Sequence, residues 1–249
     1  MRMILGCLYA GALLIVLLPL QLWAAWMKKT GLTETCYRIT DRWVPWWMNT
    51  ILKIGGVRVE VEGLENLPDG PAVFVCNHQS MIDIPVLLTA LGRPRALMAK
   101  AVLGKVPLLR GWMRLFDCIF VQRDDPKAAR RSYEDGVRLV KNGRDLIIFP
   151  EGTRSKDGEL LDFKAGSFRI ASVNSVPLVP LLIDGSRWTL EENGGWLCPG
   201  RVTLRVFPSI PTETLGREEL KTLPGQLHDQ LAQALAESRA AGQLPTHTE

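Results

Sequence analysis

The chain has 249 residues, 47% hydrophobic and 22% charged, with a net charge of +4. That is a globular composition, long enough for one catalytic domain plus an appendage and for a core that needs no disulfide or metal staple. Five scattered cysteines without a CxxC pair and only three histidines argue against a disulfide framework, a zinc ribbon or a His-rich metal site; no metal is expected, and a reducing, cytosol-facing compartment is the simplest reading.

In chain order, residues 4–26 carry no charge, and about 20 such residues cross a hydrocarbon core. Arg2 precedes them and Lys28 and Lys29 follow, so the positive-inside rule leaves orientation undecided. Pro19 suits a kink, or a helix that dips into one leaflet. A signal-peptide reading of residues 4–18 meets two objections: there is no A-x-A cleavage site and the apolar run continues. Residues 42–54 hold Trp43, Trp46 and Trp47 between Arg42 and Lys53, the aromatic and basic mixture favoured at lipid headgroups; core packing of these rings is the alternative. Residues 1–55 are therefore expected to form a membrane-anchoring helix pair, ahead of a domain at 56–242 and a polar tail at 243–249.

Within that domain, residues 57–61 alternate as VRVEV, a half-buried strand, and 72–76 form a second, wholly apolar one. Residues 82–91 read as a helix stopped by Gly92 and Pro94. Strands follow at 96–99 and 118–121, with a helical stretch between them. A helix at 126–141 opens on a proline and ends before Asn142-Gly143. A strand at 145–149 runs into Pro150, a helix occupies 166–173, strands lie at 178–183 and 202–207, and a closing helix spans 218–241. Strands alternating with helices predict an α/β protein with a central sheet flanked by helices. From Arg93 to Arg131, ten Lys and Arg stand against three Asp. Where these are more than solvated faces, they attract phosphate, nucleic acid or anionic lipid.

Two motifs carry chemistry. Asn77-His78-Gln79-Ser80-Met81-Ile82-Asp83 follows a strand and opens a helix. An imidazole can take a hydroxyl proton, while a carboxylate on its other nitrogen steadies the cation. Residues five apart do not meet on a regular helix, so His78 must lie in the turn before it. The plainer alternative is that Asp83 caps the helix in a Ser80-x-x-Asp83 box. The second motif, Phe149-Pro150-Glu151-Gly152-Thr153-Arg154-Ser155, sits at a strand end, where α/β sheets bind ligands. Gly152 allows close backbone approach, Arg154 offers a fork matched to phosphate, and Glu151 serves as an acceptor for hydroxyls or a brace for Arg154. A tight turn held by a Glu–Arg pair is the alternative.

Together these motifs resemble the glycerophospholipid acyltransferase family, over roughly residues 55–207. The resemblance implies a mixed sheet flanked by helices, His78 as general base and Asp83 as its partner. It implies binding of the acceptor's phosphate and hydroxyls by Glu151, Gly152, Thr153 and Arg154. The family's second block corresponds to residues 118–123, which implies Arg123 as a phosphate ligand, although Cys118 stands where glycine is common. Lys100 corresponds to a family lysine with the same task, Phe163-Lys164-Ala165-Gly166 to a further block, and Val176-Pro177-Leu178-Val179-Pro180 to a fourth, read as pocket wall.

The implied reaction moves a fatty acyl group from acyl-CoA or acyl carrier protein to the free hydroxyl of lysophosphatidic acid, giving phosphatidic acid, with no cofactor. Ser167 lies in AGSFR rather than GxSxG, so no acyl-enzyme is required. The implied location is the inner (cytoplasmic) membrane, catalytic domain toward the cytoplasm, with the bilayer and its lipids as partners. The competing readings are acyl transfer to another lysolipid, such as a lyso-ornithine lipid or a remodelled lysophospholipid, and a non-catalytic binder of anionic lipid. The hydrophobic amino end argues against a nucleic-acid partner.

Overall fold

Short apolar runs separated by helices pair into one seven-stranded sheet in the computed structural model, which describes residues 9, 11–122 and 125–240. The strands are β1 (Val57–Glu62), β2 (Val73–Cys76), β3 (Ala96–Lys100), β4 (Ile119–Val121), β5 (Leu146–Ile148), β6 (Leu178–Asp184) and β7 (Gly200–Val206). Their order is β1-β7-β6-β2-β5-β3-β4. Neighbours run parallel except β6 and β7, which are antiparallel, so the expected mixed α/β sheet is present.

The central strands β2, β5 and β6 are buried at every position, because helices cover both faces and continuous apolar runs are what such strands need. Alternation divides them between two cores. Phe74 and Cys76 join one core with Val86, Leu87 and Trp112, and Val73 and Val75 join the other with Phe168, Leu227 and Leu231. The edge strand β1 alternates instead, exposing Arg58, Glu60 and Glu62. Across the edge, Arg201 and Arg205 of β7 pair with Glu60 and Glu62.

The first core lies under α1 (Leu18–Lys29), α2 (Thr33–Gly55), α3 (Asp83–Ala90) and α4 (Pro107–Leu115). The second lies under α5 (Pro126–Lys141), α6 (Gly166–Asn174) and α8 (Arg217–Ala240), with the four-residue α7 (Ser186–Thr189) after β6. The helix predicted at 126–141 has those bounds, and its Asp125 accepts a bond from the Lys127 N–H as an N-cap.

At the amino end the structure departs from the sequence reading. Helix α2 starts nine residues before 42 and runs through Pro45 to Gly55, stopped by Gly56 at φ 73°. Pro19 opens a helix rather than kinking one: residues 11–16 are helical, Leu17 interrupts the run and Pro19 occupies the first turn of α1, where its missing N–H costs nothing. No helix among the described residues is long and apolar enough to cross a membrane. Much of the apolar run's start and the tail beyond 240 lie outside them.

Helix α1 has its polarity reversed. Gln21 is only 5% exposed and donates to the Leu108 carbonyl, while Leu22 is 61% and Trp26 56% exposed, along with Trp23 and, in the helical stretch just before α1, Ile15 and Val16. A polar hub fastens the helix pair to the end of α4. Asp117 accepts from Lys28 at 2.6 Å and from the Tyr37 hydroxyl at 2.8 Å, and the Arg144 guanidinium lies 3.6 Å over the Tyr37 ring.

Candidate active site

The site is built where β2 and β5 end at their carboxyl edges. β2 stops at Cys76, and the Asn77 side chain continues its pairing with β6: its amide donates to the Ile183 carbonyl at 2.9 Å and accepts the Ile183 N–H at 2.7 Å. That clamp fixes the chain as it leaves the sheet, and residues 77–82 then form the turn ahead of α3.

In this turn His78 Nδ1 lies 2.7 Å from Asp83 Oδ2. The same oxygen accepts the N–H groups of Gln79 and Ser80, at 2.8 and 2.9 Å. Asp83 is 0% exposed, so a buried carboxylate is offset by three donors. One oxygen thus ties the turn ahead of α3 and faces the imidazole, while the helix itself carries no side-chain cap. With Nδ1 donating to Asp83, Nε2 is the nitrogen left to accept a proton. The ring of Phe149 stacks on the imidazole at 4.0 Å between centroids.

The FPEGTRS loop leaves β5 and grips the backbone of His78 from two sides. Glu151 Oε1 accepts the His78 N–H at 2.9 Å, and the Ser155 N–H donates to the His78 carbonyl at 2.8 Å. Glu151 Oε2 accepts from Leu161. Glu151 therefore does not brace Arg154, as one sequence reading had it; at 4% exposure its oxygens face inward to backbone donors. Burial pushes its carboxyl up to about 7, against the opposing pull of the His78 and Leu161 N–H groups.

Arg154 pairs with Glu191 at 2.8 Å, and Glu191 Oε1 also accepts the Met81 N–H. Glu191 stands 37 residues away in the loop after α7, outside every motif in the sequence. Gly152 adopts φ +74°, and a side chain there would meet Lys164 Nζ at 2.7 Å. Thr153 is exposed. Lys100 closes β3 on the same carboxyl edge, in register with Val121, while Arg123 lies outside the described residues.

Beside the dyad a cavity of about 290 Å³ opens among Met98, Val121, Ile148, Phe149, Gly152 and Lys164. Its walls are mostly apolar, with Ser132, Tyr133 and Ser167 among them, and, among the described residues, Lys164 has no ion-pair partner. Lys164 carried no assigned role in the sequence reading; only its block resemblance marked it. Of the fourth block, Leu178, Val179 and Pro180 are buried within β6, which pairs with β2 and β7, and none of the block lines this cavity. Cys118 needs no special backbone, because the positive φ falls on Asp117 at 64° and Cys118 is buried in the core. Among the described residues no three His, Cys, Asp or Glu gather as a metal site.

A family model described as Acyltransferase matches residues 58–184 and so takes in both motifs. The chloroplastic 1-acyl-sn-glycerol-3-phosphate acyltransferase of Brassica napus is 41% identical over 132 residues, 52% of this chain and 38% of its own length. A 1-acyl-sn-glycerol-3-phosphate acyltransferase of Saccharomyces cerevisiae is 33% identical over 185 residues, 73% of this chain and 61% of its own. The chain thus spans less than two-thirds of either relative. The crystal structure of the 1-acyl-sn-glycerophosphate (LPA) acyltransferase of Thermotoga maritima superposes with a TM-score of 0.75 at 26% identity, covering 96% of this chain and 98% of that one. With a family model over half of its residues and a superposition over nearly all of them, the chain belongs to the acyltransferase family.

Proposed function

We propose that the chain transfers a fatty acyl group from a thioester, on coenzyme A or acyl carrier protein, to the free glycerol hydroxyl of lysophosphatidic acid, giving phosphatidic acid. The observation that carries this reading is the 2.7 Å contact of His78 Nδ1 with buried Asp83, under a loop that grips His78 by both its N–H and its carbonyl. The relatives, named as acyltransferases of 1-acyl-sn-glycerol-3-phosphate, suggest the acceptor class.

His78 Nε2 takes the proton of the acceptor hydroxyl as its oxygen attacks the thioester carbonyl, and Asp83 stabilises the imidazolium. The tetrahedral intermediate collapses, the C–S bond breaks and the imidazolium returns its proton to the departing thiolate. An ester and a free thiol result, and no acyl-enzyme intervenes. The cavity beside Phe149 receives the acceptor, with Lys164 and Arg154 toward its phosphate; Lys100 adds to the basic edge, and Arg123 is assigned to the phosphate on the family resemblance alone. Arg154 must exchange Glu191 for the ligand. Gly152 keeps the loop backbone close to Lys164, and Thr153, exposed next to Arg154, serves as a hydroxyl donor.

The outward apolar face of α1 supports the bilayer as the place of work. Buried apolar area is favourable at about 25 cal/mol per Å², and only lipid, detergent or another copy can cover Ile15, Val16, Leu22, Trp23 and Trp26. A cytoplasm-facing domain on the inner membrane gives it both the thioester and the lysolipid.

The test is thiol release from acyl-CoA and from acyl carrier protein, with mass-spectrometric identification of the product from a panel of lysolipids. Wild-type chain should form phosphatidic acid, and His78→Ala should lose roughly 100- to 10,000-fold in rate, the usual worth of a general base. A His78→Ala chain with more than half its activity ends the mechanism; a product other than phosphatidic acid reassigns the acceptor.

A further inference from the structure

Gly158, four residues beyond the FPEGTRS arginine, is where three parts of the molecule meet. Its N–H donates to Ser155 Oγ at 3.0 Å, and its φ of +87° turns its carbonyl inward. That carbonyl accepts two side chains. One is the buried amide of Gln79, the residue after His78, at 3.2 Å; the other is the guanidinium of Arg239, at 2.8 Å. Arg239 lies in the last turn of α8, some 80 residues downstream, and its other Nη reaches Glu159 at 2.6 Å. Its Nε stands 3.8 Å from Asp184 at the end of β6. A side chain at 158 would meet Arg239 Nη2 at 3.2 Å and Arg187 Cδ at 3.5 Å, so the glycine is boxed in.

We infer that Arg239 is a positioning residue for His78, acting through Gly158 and Gln79. The path is short and wholly polar. Arg239 holds the Gly158 carbonyl, that carbonyl holds Gln79, and the Gln79 N–H is one of the three donors on Asp83 Oδ2. Ser155, tied to Gly158, donates in turn to the His78 carbonyl. Removing Arg239 frees the 155–159 loop at its outer end. The imidazole then keeps its partner but loses one wall of the turn that aims it, and a misplacement of about 1 Å is enough to cost up to roughly 100-fold in rate. The bond to Glu159, whose carboxylate is exposed, adds little; the bond to the Gly158 carbonyl is the one that matters.

The inference rests on the acyl-transfer reading, and wild-type chain assayed in parallel separates the two: an inactive wild type removes that reading, whereas the variants test the latch. Arg239→Ala should lower kcat about tenfold with KM for thioester and lysolipid within about twofold, since no substrate contact is lost. Arg239→Lys should recover much of that loss, and Glu159→Gln should match wild type. Gln79→Ala should cost a similar factor, and the double variant Gln79→Ala/Arg239→Ala no more than either alone, because both act through one carbonyl. Hydrogen exchange adds a readout that does not depend on turnover: peptides covering 149–161 and 77–83 should exchange faster in Arg239→Ala, with the sheet unchanged. Undiminished kcat in Arg239→Ala, multiplicative losses in the double variant, or faster exchange spread over the whole sheet would each overturn it.

Discussion

Phe149 lies nearly flat on His78, the two ring planes 19° apart. The phenyl ring follows directly on β5 and is also a wall of the adjoining cavity, so it holds the imidazole plane at the edge of the space proposed for the acceptor. Phe149→Leu keeps the volume apolar but removes the flat support. Its expected effect is a fall in kcat of roughly tenfold with little change in melting temperature, because the loss is one of aim. Unchanged kcat in steady-state assays would show that Asp83 alone orients the ring.

Glu191 pairs with Arg154, the arginine proposed to meet the phosphate. Glu191→Gln retains an oxygen for the Met81 N–H and releases Arg154. An exposed ion pair is worth about 0.2–1 kcal/mol, so KM for lysophosphatidate should fall by about two- to fivefold while KM for uncharged monoacylglycerol stays the same. Equal changes for the two acceptors would place Arg154 away from the phosphate.

Glu151 makes stability depend on pH in an unusual direction for a carboxylate. Its folded value near 7 lies above the ordinary 4.5, so the folded state holds the proton more tightly than the unfolded chain. The stability this gives is fully present below about 4.5 and is lost as pH rises through about 7. Glu151→Gln cannot ionise. Its melting temperature relative to wild type should therefore rise steadily between pH 5 and pH 8, measured by circular dichroism; a flat difference would show Glu151 ionised throughout.

Asp117 is the fastener of the helix pair, with Lys28, Tyr37 and Arg144 around it. Asparagine tolerates the positive φ at this position, so Asp117→Asn tests the charge without straining the turn. Hydrogen bonds to charged groups contribute about 1.5–3 kcal/mol, and a loss near the lower end is expected because the pair with Lys28 is partly in water. Proteolysis should then cut between α1 and α2 sooner than in wild type. Equal cleavage rates would mean that apolar packing alone holds the pair.

Much of this was legible in the sequence for identifiable reasons. The bounds of α5 were marked by Asp125-Pro126 and Asn142-Gly143, and the strands by their apolar runs. The His78–Asp83 pairing was implied by the family resemblance, and helix geometry added that His78 must precede the helix for five-apart residues to meet. What escaped notice was carried by separation or by weak signals. Glu191 and Arg239 reach the catalytic loop from 37 and 80 residues away, and no local pattern announces such partners. Helix α2 was placed nine residues late because Leu32 offers no side-chain cap. The strand at 178–183 was legible through Pro180 because the run around it is apolar, and the Pro180 carbonyl still accepts the Phe207 N–H.

The reversed polarity of α1 has a practical consequence for anyone handling the protein. A helix that tucks its glutamine inward and shows tryptophans to the outside is incomplete in water, and copies of the chain will complete one another if nothing else does. Its yield and its turnover should therefore follow the supply of amphiphile in the tube, and the rate should scale with how crowded the substrate is on a surface rather than with its amount per litre.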